Sequence, residues 1–230
     1  DRSECRSNVI LTLMALVERS AGAVHLRHYL SPEEQVHLAA RCLELGEASV
    51  GFYTPIVRGR YPMSVRMLCL GRHWNASTYR YEPVRSDVDG QPVPELPSDF
   101  EALACRISRA AGFELRPDIC IVNWYRAGSR MGLHQDKDES DVSIASGAPV
   151  VSISLGDTAR FLFGGLRRRD HVEKILLESG DAFVFRGPNR GNNELHFLGT
   201  APADASSWFD QVVVVVGDDT AGANGTSETW

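Results

Sequence analysis

From Ile119 onward the chain is a succession of short apolar runs. They cover residues 119–125, 150–155, 160–163, 174–177, 182–185 and 212–216. Gly156-Asp157, Gly164-Gly165 and Ser179-Gly180-Asp181 punctuate them. Such runs are too short for packed helices but the right length for strands bounded by turns. Many short strands must close on each other or stack as two sheets to hide their edges and apolar faces. The expected fold is therefore mostly β with supporting helices, a double-sheet jelly roll (double-stranded β-helix).

The supporting helices are announced upstream. Ser31-Pro32-Glu33-Glu34 combines an N-cap serine, a first-position proline and first-turn glutamates, predicting a helix to about residue 45 that stops at Gly46. Pro97-Ser98-Asp99 opens a second, over about residues 100–111, ended by Gly112. Residues 23–29 read as an entry strand and 63–70 as another. Residues 72–96, polar and rich in aromatics and proline, read as a long functional loop or hairpin. One domain over 23–217 is expected, between an extension (1–22) and a disordered tail (218–230). The apolar run at 9–17 is too short to span a bilayer and predicts a short helix or disorder.

The net charge of −6 gives no global field for nucleic acid, leaving Arg167-Arg168-Arg169 as a local basic cluster. Five cysteines without a CxxC pair fit a reduced, cytoplasmic protein. No membrane and no obligate oligomer are expected; the chain reads as a monomer.

Chemistry concentrates at His134-Gln135-Asp136. In extended backbone the outer two side chains point the same way. Imidazole and carboxylate, completed by a distant histidine, form the facial triad of non-haem Fe(II) oxygenases, which leaves open positions for co-substrate and oxygen. His25, His28 and His37 lie in the entry strand and first helix, His73 in the aromatic loop and His171 in a charged turn. His196 follows a strand and a Gly/Pro/Asn-rich loop that could return to the barrel mouth, and is the candidate third ligand. The alternative is a loop in which His134 and Asp136 merely share a hydrogen bond.

A wider set of motifs surrounds this pair: Pro62-Met63-Ser64-Val65, Asn123-Trp124-Tyr125, the run from Met131 to Glu139, Val151-Ser152-Ile153-Ser154-Leu155-Gly156, Phe161-Leu162-Phe163-Gly164-Gly165-Leu166 and Leu177-Glu178-Ser179-Gly180-Asp181. In this order they resemble the AlkB family of Fe(II)- and 2-oxoglutarate-dependent dioxygenases. The resemblance implies His134, Asp136 and His196 as iron ligands and Asn123 and Tyr125 as contacts to 2-oxoglutarate. It implies Trp74, Tyr79 and Arg168 along the substrate site, with Asp138 facing the target base. Trp74 and Tyr79 could instead only anchor their loop, and Arg168 could be a solvated turn residue. The implied reaction is oxidative demethylation of N-alkylated bases, such as N1-methyladenine or N3-methylcytosine, in single- or double-stranded DNA or in RNA. Formaldehyde, succinate and CO2 would be the products.

The C-terminal part departs from that family. There a histidine closely follows a Gly-Pro-x-Arg, and an R-x-N-x-T-x-R strand supplies two arginines that hold the carboxylates of 2-oxoglutarate. Here Gly187-Pro188-Asn189-Arg190 is followed only later by His196, the last strand reads Gln-Val-Val-Val-Val-Val, and no arginine follows Arg190. Arg186 or Arg190 could substitute, the co-substrate could bind weakly, or activity could be lost; a reading-frame change near Arg190 would have the same effect. Alternative functions are thus a catalytically impaired nucleic-acid-binding protein and a dioxygenase with a non-nucleic substrate.

Overall fold

The computed structural model describes residues 23–126, 128–132, 134–136, 138–163, 171–186 and 211–219, with backbone alone for 16–20, 135 and 194–198. Fifteen strands and three helices are named in it, in chain order. They are β1 (Leu16–Ser20), β2 (Ala23–Leu26), α1 (Pro32–Glu47), β3 (Ile56–Val57), β4 (Tyr61–Pro62), β5 (Arg66–Leu70), β6 (His73–Asn75), β7 (Arg80–Glu82) and α2 (Ser98–Ala110). Then follow β8 (Ile119–Tyr125), β9 (His134–Gln135), α3 (Asp141–Ser146), β10 (Val150–Leu155), β11 (Ala159–Phe163), β12 (Glu173–Leu177), β13 (Ala182–Phe185), β14 (Glu194–Leu198) and β15 (Gln211–Gly217).

The large antiparallel sheet runs β1-β2-β13-β10-β15-β8-β5 and the small one β12-β11-β14-β9. The large sheet is buried on both faces. One face packs Val122, Val151, Ile153, Val214 and Val216 under Leu38 and Cys42 of α1 and Phe100, Ala104 and Ile107 of α2. The other packs Val150, Phe183, Phe185 and Val213 against Phe161, Phe163, Ile175 and Leu177 of the small sheet. This two-sided burial is why β15 carries an unbroken valine run rather than an alternating one. The architecture is the jelly roll the sequence pattern implies.

Helix α1 begins as expected: the Ser31 side chain accepts from the Glu34 amide and the Glu34 carboxylate accepts from the Ser31 amide. Gly46 does not stop it. It lies in the last turn, where an added Cβ would sit 2.0 Å from the Phe52 ring. It is there for close approach. Gly112, with φ +83°, does follow the end of α2. The entry strand is shorter than expected, because the chain turns at His28 (φ 50°) after Leu26. The 63–70 strand starts only at Arg66. Leu16 and Val17, expected in a helix or disordered segment, belong to β1 and pair with Leu26 and His25. The body also continues past Gly217: the Asp219 amide donates to Asp118 Oδ1 at 2.6 Å and its own Oδ1 accepts from the Ser140 amide at 2.6 Å.

The 72–96 segment contains the β6–β7 hairpin, turned by the Asn75 side chain, which accepts from the Ser77 and Thr78 amides. A second small hairpin, β3–β4, lies beside it, with the Arg58 amide bonded to Ala76 O.

Candidate active site

A cavity of about 670 Å³ opens between the two sheets. Strand β8 contributes Ile119, Ile121, Asn123 and Tyr125 to its wall, and the β9 segment contributes His134, Asp136, Asp138 and Glu139. Alternation along β8 explains the first set: odd positions face the cavity while Cys120 and Val122 face the helices.

His134 donates from Nδ1 to Gly132 O at 2.8 Å, since a carbonyl can only accept. That fixes the neutral tautomer with a lone pair on Nε2, which stands 3.4 Å from Asp136 Oδ1. Two electron-pair donors face each other at the cavity, as a divalent cation requires. Burial alone would lower the proton affinity of His134, but the Asp136 hydrogen bond and charge raise it above the ordinary histidine value. Among the described residues no third His, Cys, Asp or Glu completes a cluster. Strand β14 borders β9, with Leu195 opposite His134 and His196 opposite Leu162 on its other neighbour. The His196 side chain lies outside the described residues, as does Arg168.

The remaining predicted residues are gathered at the cavity. Asn123 is 6% exposed, and its Oδ1 has no hydrogen-bond partner among the described residues. Tyr125 is buried beside it, and burial, with the Asp136 charge, pushes its hydroxyl well above the usual tyrosine range. Trp74 donates from Nε1 to Asp138 Oδ2 at 2.8 Å, tying the β6–β7 hairpin to the segment after His134. Tyr79 meets Trp74 edge-on at 5.9 Å and adopts φ 58°, a conformation costly for a bulky residue and seen where the surroundings impose it.

Four further polar lining residues are not singled out from the sequence: Ser152, Tyr81, Glu139 and Arg58. The signal for Ser152 is a serine alternating with apolar residues in β10; it is 5% exposed, and its Oγ has no partner among the described residues. Tyr81 is raised by burial and then by the Glu139 and Asp136 charges, so it stays a neutral phenol. Nothing in the sequence marks Arg58 as a cavity residue, because only the β3–β4 turn brings it there.

The chain matches the 2OG-Fe(II) oxygenase superfamily over residues 22–202. It is 42% identical over 185 residues to the DNA N(6)-methyladenine demethylase ALKBH1C of Arabidopsis thaliana, covering 74% of this chain and 40% of that protein. It is 38% identical over 191 residues to the alpha-ketoglutarate-dependent dioxygenase AlkB of Escherichia coli (strain K12), covering 81% of this chain and 83% of that protein. Thus it spans about two fifths of the plant relative's length and most of the bacterial one's. Among solved structures, that of OsALKBH1 superimposes with TM-score 0.78 at 34% identity, covering 88% of this chain and 99% of the other.

Proposed function

The chain belongs to the 2OG-Fe(II) oxygenase superfamily, and on that premise we propose that it is an oxidative demethylase of N-alkylated bases in nucleic acid. The carrying observation is the convergence of His134 Nε2 and Asp136 Oδ1 on a cavity that also holds Trp74, Tyr79 and Asp138. Ferrous iron, with O2 and the co-substrate 2-oxoglutarate, supplies oxidation of an N-methyl carbon, which leaves as formaldehyde beside succinate and CO2.

The protein's part is placement. His134 and Asp136 would hold the metal, and Gly132 O, accepting from Nδ1, would keep the imidazole in the ligating tautomer. Trp74 and Tyr79 offer faces and edges on which a flipped base can stack. Asp138, fixed by Trp74, favours a cationic methylated ring by charge. The bases of choice are N1-methyladenine and N3-methylcytosine in DNA or RNA, together with the N6-methyladenine named for the plant relative. The four described cysteines are free, which fits a reducing, intracellular setting. Arg168 joins this account as a substrate contact to be tested.

His196 is proposed as the third donor. It lies on β14, whose backbone pairs with β9 at Leu195 and His134.

The test is formaldehyde release from a methylated single-stranded oligonucleotide with Fe(II), 2-oxoglutarate and O2. Release that depends on all three and disappears in His134→Ala is expected. Succinate formed only with a non-nucleic substrate would overturn the nucleic-acid assignment. Nucleic-acid binding without succinate would favour the second reading, an impaired binding protein, which the uncharged β15 wall motivates.

A further inference from the structure

We infer that the co-substrate end of the cavity, as its described residues form it, is built for a singly charged 2-oxo acid: among them the second carboxylate of 2-oxoglutarate finds no charged anchor. The inference rests on the proposed function, which supplies the metal and the 2-oxo acid.

Strand β15 lies between β10 and β8, so its side chains form the wall beside Asn123 and Tyr125. Gln211, Val213, Val215 and Gly217 pair with Tyr125, Asn123, Ile121 and Ile119 on one face. Val215 and Gly217 line the cavity, Val213 packs into the adjoining core, and Gln211 is 5% exposed. This wall thus consists of one amide, two isopropyl groups and bare backbone.

The charges around it have the wrong sign for a dianion. Described lining residues include the carboxylates of Asp136, Asp138 and Glu139 against the single guanidinium of Arg58. Arg58 stands on the β3–β4 turn, beside the turn of the β6–β7 hairpin rather than on β15. Four other described arginines of this region are engaged elsewhere, and Arg190 lies outside the described residues. Arg66 donates to Phe52 O and lies over Phe52 and Trp124; Arg72 donates to Tyr81 O and pairs with Asp219. Arg85 donates to Gly51 O and pairs with Asp89, and Arg186 lies over Phe113. Arg186, a possible substitute by sequence, is thereby removed from the site. Asn123 Oδ1, Ser152 Oγ and both polar atoms of Gln211 are buried without a partner among the described residues. These neutral groups can meet an oxo group or one carboxylate. They cannot repay the desolvation of a second charge, which a guanidinium fork does by pairing bidentately.

The common end of a 2-oxo acid chelates the metal whatever its tail. Comparing 2-oxoglutarate with 2-oxopentanoate, in which a methyl replaces the distal carboxylate, therefore isolates the wall. Each acid is titrated by calorimetry under nitrogen into the Mn(II)-loaded full chain. The two dissociation constants should agree within about threefold, or favour 2-oxopentanoate, whereas an arginine clamp separates them by at least about tenfold. Gln211→Arg should tighten 2-oxoglutarate at least about tenfold and leave 2-oxopentanoate unchanged. Gly217→Arg serves as the second variant should the first not fold, and the wild-type ratio decides if neither does. A wild-type preference for 2-oxoglutarate of more than about tenfold would overturn the inference and leave the demethylase reading standing. Binding of neither acid would overturn both.

Discussion

Removing the Asp219 carboxylate tests whether the C-terminal end of β15 braces the candidate metal segment. Its Oδ1 accepts from the Ser140 amide at 2.6 Å, its Oδ2 lies 3.3 Å from Arg72 Nε, and it is 6% exposed. Ser140 is in turn the N-cap of α3, its Oγ accepting from the Ser143 amide. Arg72 donates to Tyr81 O, so one carboxylate joins the segment after Asp136 to the β6–β7 hairpin. Losing a buried hydrogen bond to a charged acceptor costs about 1.5–3 kcal/mol. The partly exposed ion pair adds at most about 1 kcal/mol after solvent screening. Asp219→Ala should therefore lose about 2–4 kcal/mol in urea denaturation, with Tm falling roughly 5–15 °C for a domain of this size. Asp219→Asn keeps the Oδ1 acceptor and should lose about half as much. Mn(II) affinity should weaken in the alanine variant alongside stability, because His134 and Asp136 sit within six residues of Ser140. A loss below about 0.5 kcal/mol, the size of an ordinary surface substitution, would refute the bracing role.

Three further outcomes follow. Trp74→Phe keeps the ring but loses the donor to Asp138 Oδ2; demethylation kcat/KM should drop by about tenfold, the scale of one charge-assisted hydrogen bond, with the melting temperature little changed. Asp181 is buried and accepts from the amides of His28 and Glu178 while facing His25 Nε2 at 2.9 Å. Burial opposes ionisation there, but these bonds hold its carboxyl below the ordinary 3.8, so its contribution is present above that value and lost as pH falls through the lowered one. Asp181→Asn should cost about 3 kcal/mol at pH 7 and flatten the acid limb of a stability–pH curve below pH 4. Gly46→Ala should destabilise by about 1–3 kcal/mol in denaturant titration, despite alanine's better helix propensity, because its Cβ would enter the Phe52 ring packed on Trp124.

What the sequence makes legible follows from how local the cause is. Helix α1 is set by a capping box spanning four residues, and β8 by an apolar run, so both stand where the pattern puts them. Gly46 misleads because its reason is the Phe52 ring, a tertiary contact that also overrides its usual role at a helix end. Asp218 and Asp219 read as tail by composition, yet backbone and side-chain bonds to Asp118, Ser140 and Ser143 hold them. His134 and Asp136 announce themselves by spacing, and Asn123 and Tyr125 by the motif around them. Glu139, Tyr81 and Arg58 reach the same cavity from three separate segments, a convergence that only the packed hairpins create. His196 lies on β14, which pairs with β9 at Leu195 and His134, and its side chain lies outside the described residues.

Anomalous diffraction from crystals soaked in Fe(II) or Mn(II) under nitrogen tests the metal assignment most directly. The account predicts a single strong peak at the cavity beside His134 and Asp136 that vanishes in His134→Ala. A peak elsewhere, or none with the cavity intact, would contradict it.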